Sequence, residues 1–203
     1  MYKKILALGL ISMFWVAAYA ATVPLRVDPN HSNVSFSLPI LGGVSHVTGK
    51  FGSFSAELNY DKQDITKSSV VAKIKTDSIS TGIGARDNHL KTADFFDAAK
   101  YPEITFTSKK VEKKGGKYLL TGDFSMHGVT KEISFPFTVV GNCADKKAAE
   151  VAGPCGFKAS LQINRKDYGV DYERKDNLEF MGDVVDIDLN ILTSAPKPAA
   201  PKQ

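Results

Sequence analysis

The sequence has 203 residues, with 26 Lys and Arg against 22 Asp and Glu, and two cysteines. That length fits one domain with a core of its own. The charges nearly balance and no basic stripe is interleaved with aromatics, so nucleic acid is not an expected partner.

Residues 1–20 read as a signal peptide. Lys3 and Lys4 form a positive n-region, Ile5 to Ala18 an apolar run, and Ala18-Tyr19-Ala20 an A-x-A cleavage site. The run is too short for a membrane anchor, so the mature chain is expected to start at Ala21, to lack a transmembrane segment and to be soluble outside the cytoplasm. Losing the signal removes two lysines and the only tryptophan, Trp15, and leaves a net charge of +2.

From there the chain reads as strands. Val34, Phe36 and Leu38 alternate with Asn33, Ser35 and Ser37, and Phe54, Ala56, Leu58 and Tyr60 with Ser55, Glu57 and Asn59. Val70, Ala72 and Ile74 form a third run. The stretch Arg86 to Phe106 breaks the pattern, and it alone carries helical signals. Asp87 is a candidate N-cap, and Asp94 a candidate cap for a second turn. One helix from Asp87 to Lys100 would be about 20 Å long. Leu90, Ala93 and Phe96 recur every third residue, so a broken pair of turns is equally allowed. This insert is either a plug that buries Phe95 and Phe96 or a lid over a ligand.

Pro102 forces extended backbone into the next run, Ile104 and Phe106. Then come Tyr118 to Met126, Ile133 to Val139, Phe157 to Ile163 and Val185 to Ile191, which makes eight runs with one apolar face each. Lys114-Gly115-Gly116 and Gly128-Val129 are hairpin signals. Pro136 cannot donate to a ladder and marks an edge or a bulge. Cys143 and Cys155, in an exported chain, are expected to form a structural disulfide. Residues 195–203, a Pro/Ala/Lys tail, are expected to be disordered.

Eight one-faced strands leave a closed up-and-down barrel or a two-sheet sandwich. In a barrel the inward set would include Phe36, Phe54, Phe106, Phe124, Phe135 and Phe137, and any ligand inside would be apolar. Catalytic signatures are absent: there is no G-x-S-x-G elbow, and Gly82-Ile-Gly84 opens no βαβ unit. The histidines His31, His46, His89 and His127 stand at no metal-ligand spacing, so neither a metal nor a cofactor is expected.

Several stretches resemble the YceI-like family, the bacterial periplasmic polyisoprenoid-binding proteins. They are Asp28-Pro-Asn-His-Ser-Asn-Val-Ser-Phe36, Gly49-Lys-Phe-Gly-Ser-Phe54 with His46, and Arg86-Asp-Asn-His-Leu90 with Thr81. Asp94-Phe-Phe-Asp97, Tyr101-Pro-Glu-Ile-Thr-Phe106, Leu120 to Lys131 and Ile163-Asn-Arg-Lys-Asp-Tyr-Gly169 continue the match over Val23 to Leu192. The resemblance implies an all-β, eight-stranded antiparallel lipocalin-like barrel over residues 21–194, with a short helical insert near its mouth. It implies a pore that takes a long-chain lipid such as an isoprenoid or quinone. The cysteine pair and the Pro-rich tail depart from the family's pattern.

On that reading the pore wall comprises Phe36, Leu38, Phe54, Leu90, Phe95, Phe96, Phe106, Phe124, Phe135, Phe137 and Leu161. A head group would want a bidentate donor, for which Arg86 and Arg165 are candidates, with Asp87 and His89 holding Arg86 or bonding the head directly. The bland alternative is an Arg86–Asp87 ion pair closing the barrel end. The main functional expectation is a periplasmic lipid carrier that is not an enzyme. One alternative is an enzyme at the mouth, with His89 or His46 as base and Arg86 as anion clamp. Another is an interaction module using the outer face or the tail. A homodimer stays open.

Overall fold

The computed structural model describes residues 22–143, 153–176 and 180–194; the expected signal peptide and tail lie outside the described residues. Eleven strands among these residues form one antiparallel sheet. They are β1 (Val23–Val27), β2 (Asn33–Ile40), β3 (Ser45–Phe51), β4 (Phe54–Tyr60), β5 (Ser69–Lys75), β6 (Ile79–Ser80), β7 (Glu103–Lys114), β8 (Lys117–Met126), β9 (Val129–Gly141), β10 (Pro154–Asn164) and β11 (Val184–Ser194). Eight of them close a ring in the order β1-β4-β5-β7-β8-β9-β10-β11, and β11 pairs back to β1. The closed ring decides for the barrel against the sandwich.

All eight apolar runs lie in strands, but β1, β3 and β6 give no such signal. β1 is five residues long and holds Pro24, and β6 has two residues. On β3 the inward series is Val47, Gly49, Phe51, so its middle position carries no side chain to mark it. The reason is contact. Gly49 pairs with Phe36, whose ring lies across it, and a Cβ there would stand 2.5 Å from Phe36 Cζ and 2.9 Å from the Ser80 carbonyl oxygen.

β2 runs beside β11 and carries β3 and β6 with it, walling the barrel at one end. The opposite end holds Leu25, Tyr60, Cys143 and Cys155, all buried. There Cys143 and Cys155 form the disulfide, with their Cα atoms 5.2 Å apart. The Tyr60 hydroxyl donates to the Cys143 carbonyl at 2.8 Å, and burial pushes its pKa up to about 12.

The hairpins follow their sequence signals. Gly115 and Gly116 both have positive φ between β7 and β8, as the two-residue turn of a right-twisted hairpin requires. Pro136 sits where the β9–β10 ladder ends: the last pair is Phe137 with Ala159, and Val129 to Pro136 have no backbone partner on β10. That seam is stitched by side chains. Lys131 reaches Asp167 at 3.2 Å and lies over the Tyr168 ring, and His127 Nδ1 donates to the Tyr168 carbonyl at 3.1 Å.

The insert is broken, not one helix. α1 (Gly84–Leu90) spans seven residues, and turns follow it up to Tyr101. Neither expected cap holds. The N-cap is Ile83, without a side-chain bond, and Asp87 lies inside α1. Its carboxylate instead accepts from the Thr81 N–H at 2.7 Å and the Thr81 hydroxyl at 2.5 Å, because Gly82, at φ +79°, folds the chain back over the helix. Asp94 Oδ2 lies 2.8 Å from His89 Nε2 and caps nothing.

Candidate functional site

Along β5 the side chains alternate between exposed and half-buried over the whole strand, and the inward members, Val70, Ala72 and Ile74, are the half-buried ones. The same holds for Phe54, Ala56 and Leu58 on β4 and for Ala159 and Leu161 on β10. In a barrel stuffed with side chains these positions would be sealed, as interiors pack without voids. They are half-open because they face a cavity of about 290 Å³ whose accessible wall is apolar throughout. The wall includes the inward residues from Phe54 to Tyr60 on β4 and from Phe157 to Ile163 on β10, roughly 20 Å of strand each.

All eleven apolar positions expected from the sequence line this cavity. Others on the wall had no such assignment: Val47 and Phe51 on the unrecognised β3, and small residues such as Ala56, Ala72 and Ala159, whose size hides them in a search for aromatics. One aromatic tier closes the insert end. Phe51 packs against Phe36 at 5.9 Å and edge-on to Phe96 at 6.2 Å, while Phe95 stacks on Tyr172 at 4.7 Å between centroids. Phe95 is buried and Phe96 half-buried, so the insert covers the barrel with its two phenylalanines turned down.

The polar candidates are placed differently. Of Arg86, Asp87, His89 and Arg165, only Arg165 is on the cavity wall. It is buried, and its guanidinium is engaged by the protein: Nε donates to the Gly182 carbonyl, Nη1 to the Val170 and Tyr172 carbonyls at 2.8 and 3.0 Å, and Nη2 to Asp183 at 3.2 Å. It locks the loop after β10 against the start of β11. Arg86 and Asp87 grip one residue from two sides. Arg86 donates through Nε to the Thr81 hydroxyl at 2.7 Å and through Nη2 to the Thr81 carbonyl at 3.2 Å, while Asp87 takes the Thr81 protons. The Thr81 hydroxyl bond, ahead of the nearby Arg86 charge, holds the Asp87 carboxyl below its ordinary pKa.

His89 is exposed, paired with Asp94 and edge-on to Phe95 and Tyr172. His46 is exposed on β3, opposite Pro39. Among the described residues no three His, Cys, Asp or Glu side chains converge as a metal site would require. No helix among them is long and apolar enough to cross a membrane.

Comparison with known proteins agrees with this geometry. The family model described as the YceI-like domain matches residues 25–192. Protein YceI of Escherichia coli O157:H7 is 33% identical over 172 residues, covering 84% of this chain and 88% of that protein. A UPF0312 protein of Vibrio cholerae is 34% identical over 173 residues, covering 84% and 89%. Among solved structures, BcnA of Burkholderia cenocepacia superposes with a TM-score of 0.72 at 26% identity, covering 82% of this chain and 98% of that one. A polyisoprenoid binding domain from Saccharophagus degradans shares the fold, with a TM-score of 0.65 at 18% identity over 86% and 99%. With the matching model spanning all but the outermost residues of β1 and β11 and the inward pattern built around a void, the chain belongs to the YceI-like family.

Proposed function

We propose that this chain is a periplasmic carrier that holds one long-chain lipid, of isoprenoid or quinone type, inside the barrel. The observation that carries the reading is the apolar cavity bounded by half-open inward side chains. Each CH₂-sized group moved from water into such a wall contributes about 0.8 kcal/mol. A chain of several isoprene units therefore needs no polar contact to be held, and the absence of polar wall follows from that ligand. The polyisoprenoid binding named for the Saccharophagus domain supports the same class of ligand. The disulfide suits an oxidising compartment. We assign a head group to the mouth beside Arg86, outside the cavity wall, where Arg86 binds Thr81 through Nε and Nη2. Asp87 and His89 steady that end of the insert, and Arg165 braces the wall.

Catalysis at the mouth would need a histidine that meets the substrate. His89 has a carboxylate partner but stands off the cavity wall, as does His46. Binding without turnover is the function this geometry supports best.

The test is to export the chain in a bacterial host, purify it, and identify what it carries by native mass spectrometry and organic extraction. A hydrocarbon-tailed lipid recovered unchanged is expected. Phe124→Asp, which puts a charge on the wall, should abolish it. A purified protein that holds no such lipid and takes up no polyprenol offered in detergent refutes the proposal.

A further inference from the structure

The cavity wall continues beyond the barrel rim. Leu38 on β2 and Val47 on β3 face each other across the ladder and both line the cavity. Ile40, two residues on, bridges to Met181. The chain then turns through Leu41-Gly42-Gly43-Val44, where Leu41 is 53% and Val44 82% exposed. Leu41, Gly42 and Gly43 have φ of +49°, +62° and +86°. A leucine is uncommon in that region, because its Cβ crowds the backbone. The turn is nonetheless tied down: the Leu41 N–H donates to the Phe180 carbonyl at 2.7 Å, Gly43 to Ile40 at 3.1 Å and Val44 to Leu41 at 3.2 Å. Two aliphatic side chains are thus held out into water on a fixed support.

They have company at the same end. Ile83, 52% exposed, follows β6, the strand paired with β3, and Val184, 43% exposed, opens β11 beside β2. Four of the six large apolar side chains left exposed among the described residues therefore belong to the insert end. From Val34 to Gly49 the hairpin carries no Lys, Arg, Asp or Glu, in a chain where 24% of residues are charged. A few separate aliphatic side chains are too little for a stable protein interface, which buries upwards of about 1,000 Å². An uncharged apolar tip does suit the headgroup–acyl boundary of a bilayer, where binding scales with the apolar area inserted.

We infer that the Leu41–Val44 turn is a bilayer-docking tip. It enters the interfacial layer of a phospholipid membrane and sets the insert end of the barrel against it, so that a long-chain lipid moves between membrane and cavity without crossing water. The inference rests on the lipid-carrier reading above and names the surface from which that lipid is drawn.

Residues 21–203 contain no tryptophan, so Val44→Trp places a single reporter on the tip. With vesicles of mixed phosphatidylethanolamine and phosphatidylglycerol, its emission should shift to the blue and be quenched by brominated acyl chains. Val140→Trp, exposed at the disulfide end of β9, should do neither. Equal behaviour of the two reporters overturns the inference. In a second arm, Leu41→Asn with Val44→Ser, which keeps a residue tolerant of positive φ at position 41, is compared with the unaltered chain. Uptake of a polyprenol from vesicles should slow by roughly tenfold or more, the scale of two aliphatic side chains withdrawn from the bilayer. Uptake of the same polyprenol from detergent should not change. Undiminished uptake from vesicles sinks the docking tip and leaves the carrier standing. If the unaltered chain takes up no polyprenol from detergent, the carrier falls and the tip's role falls with it, whatever the fluorescence reports.

Discussion

Replacing Ala72 by leucine tests the hollow barrel directly. Ala72 points into the cavity from β5, with Ala56 opposite it on β4 and Phe106 opposite it on β7. In a close-packed core an alanine enlarged to leucine forces neighbours off their rotamers and costs about 1–3 kcal/mol. Here the added carbons enter empty space above another alanine. Three carbons fully buried would contribute about 2.4 kcal/mol. Because the site is half-open, we take about half of that, close to 1 kcal/mol of added stability. For a domain of this size the melting temperature should rise by roughly 2–4 °C. The assay is thermal and urea unfolding of delipidated protein followed by circular dichroism, alongside the amount of polyprenol bound. Stability should rise while capacity for lipid falls. A variant destabilised by 1 kcal/mol or more (the overpacking result) would show that no usable space exists at position 72, and the argument from half-buried inward side chains would fail.

Other outcomes follow from single features. Cys143 and Cys155 are 12 residues apart in sequence, so replacing both by serine should cost up to about 3 kcal/mol in the loop-entropy model, read as a lower urea midpoint that reductant no longer changes. Gly49→Ala should destabilise by about 1–3 kcal/mol, because the new methyl meets the Phe36 ring and the Ser80 carbonyl; in a Phe36→Leu background the penalty should shrink. The lowered pKa of Asp87 makes its stabilisation complete above the ordinary value of 3.8 and lost as pH falls through the lowered one. Asp87→Asn should therefore melt earlier than the unaltered chain by a constant margin between about pH 5 and 8, and the margin should close only in strong acid.

The barrel was legible because each inward face is built from side chains large enough to mark a period of two. The eight runs that show it are strands, and every apolar position assigned to the pore is on the cavity wall. The signal failed where the inward position is a glycine, as at Gly49, or the strand is too short, as in β1 and β6. The polar candidates were read less well. Sequence shows that Arg86 and Arg165 can bind oxyanions, yet gives no account of competing acceptors. Thr81 beside Arg86, and four backbone or side-chain oxygens around Arg165, are brought there by turns that strand periodicity does not describe. The caps at Asp87 and Asp94 failed for the same reason, because each carboxylate found a nearer donor in three dimensions.

The ladder that stops at Phe137 and Ala159 gives the barrel an unlaced side. Widening a fully laced cylinder means breaking rungs of backbone hydrogen bonds. Parting this one disturbs a surface ion pair, Lys131 with Asp167, of a kind worth about 0–1 kcal/mol, the ring contact beside it and the His127–Tyr168 hydrogen bond. On the carrier reading, the girth of a guest should therefore be a weaker ground for rejecting it than its length, which the stapled floor limits.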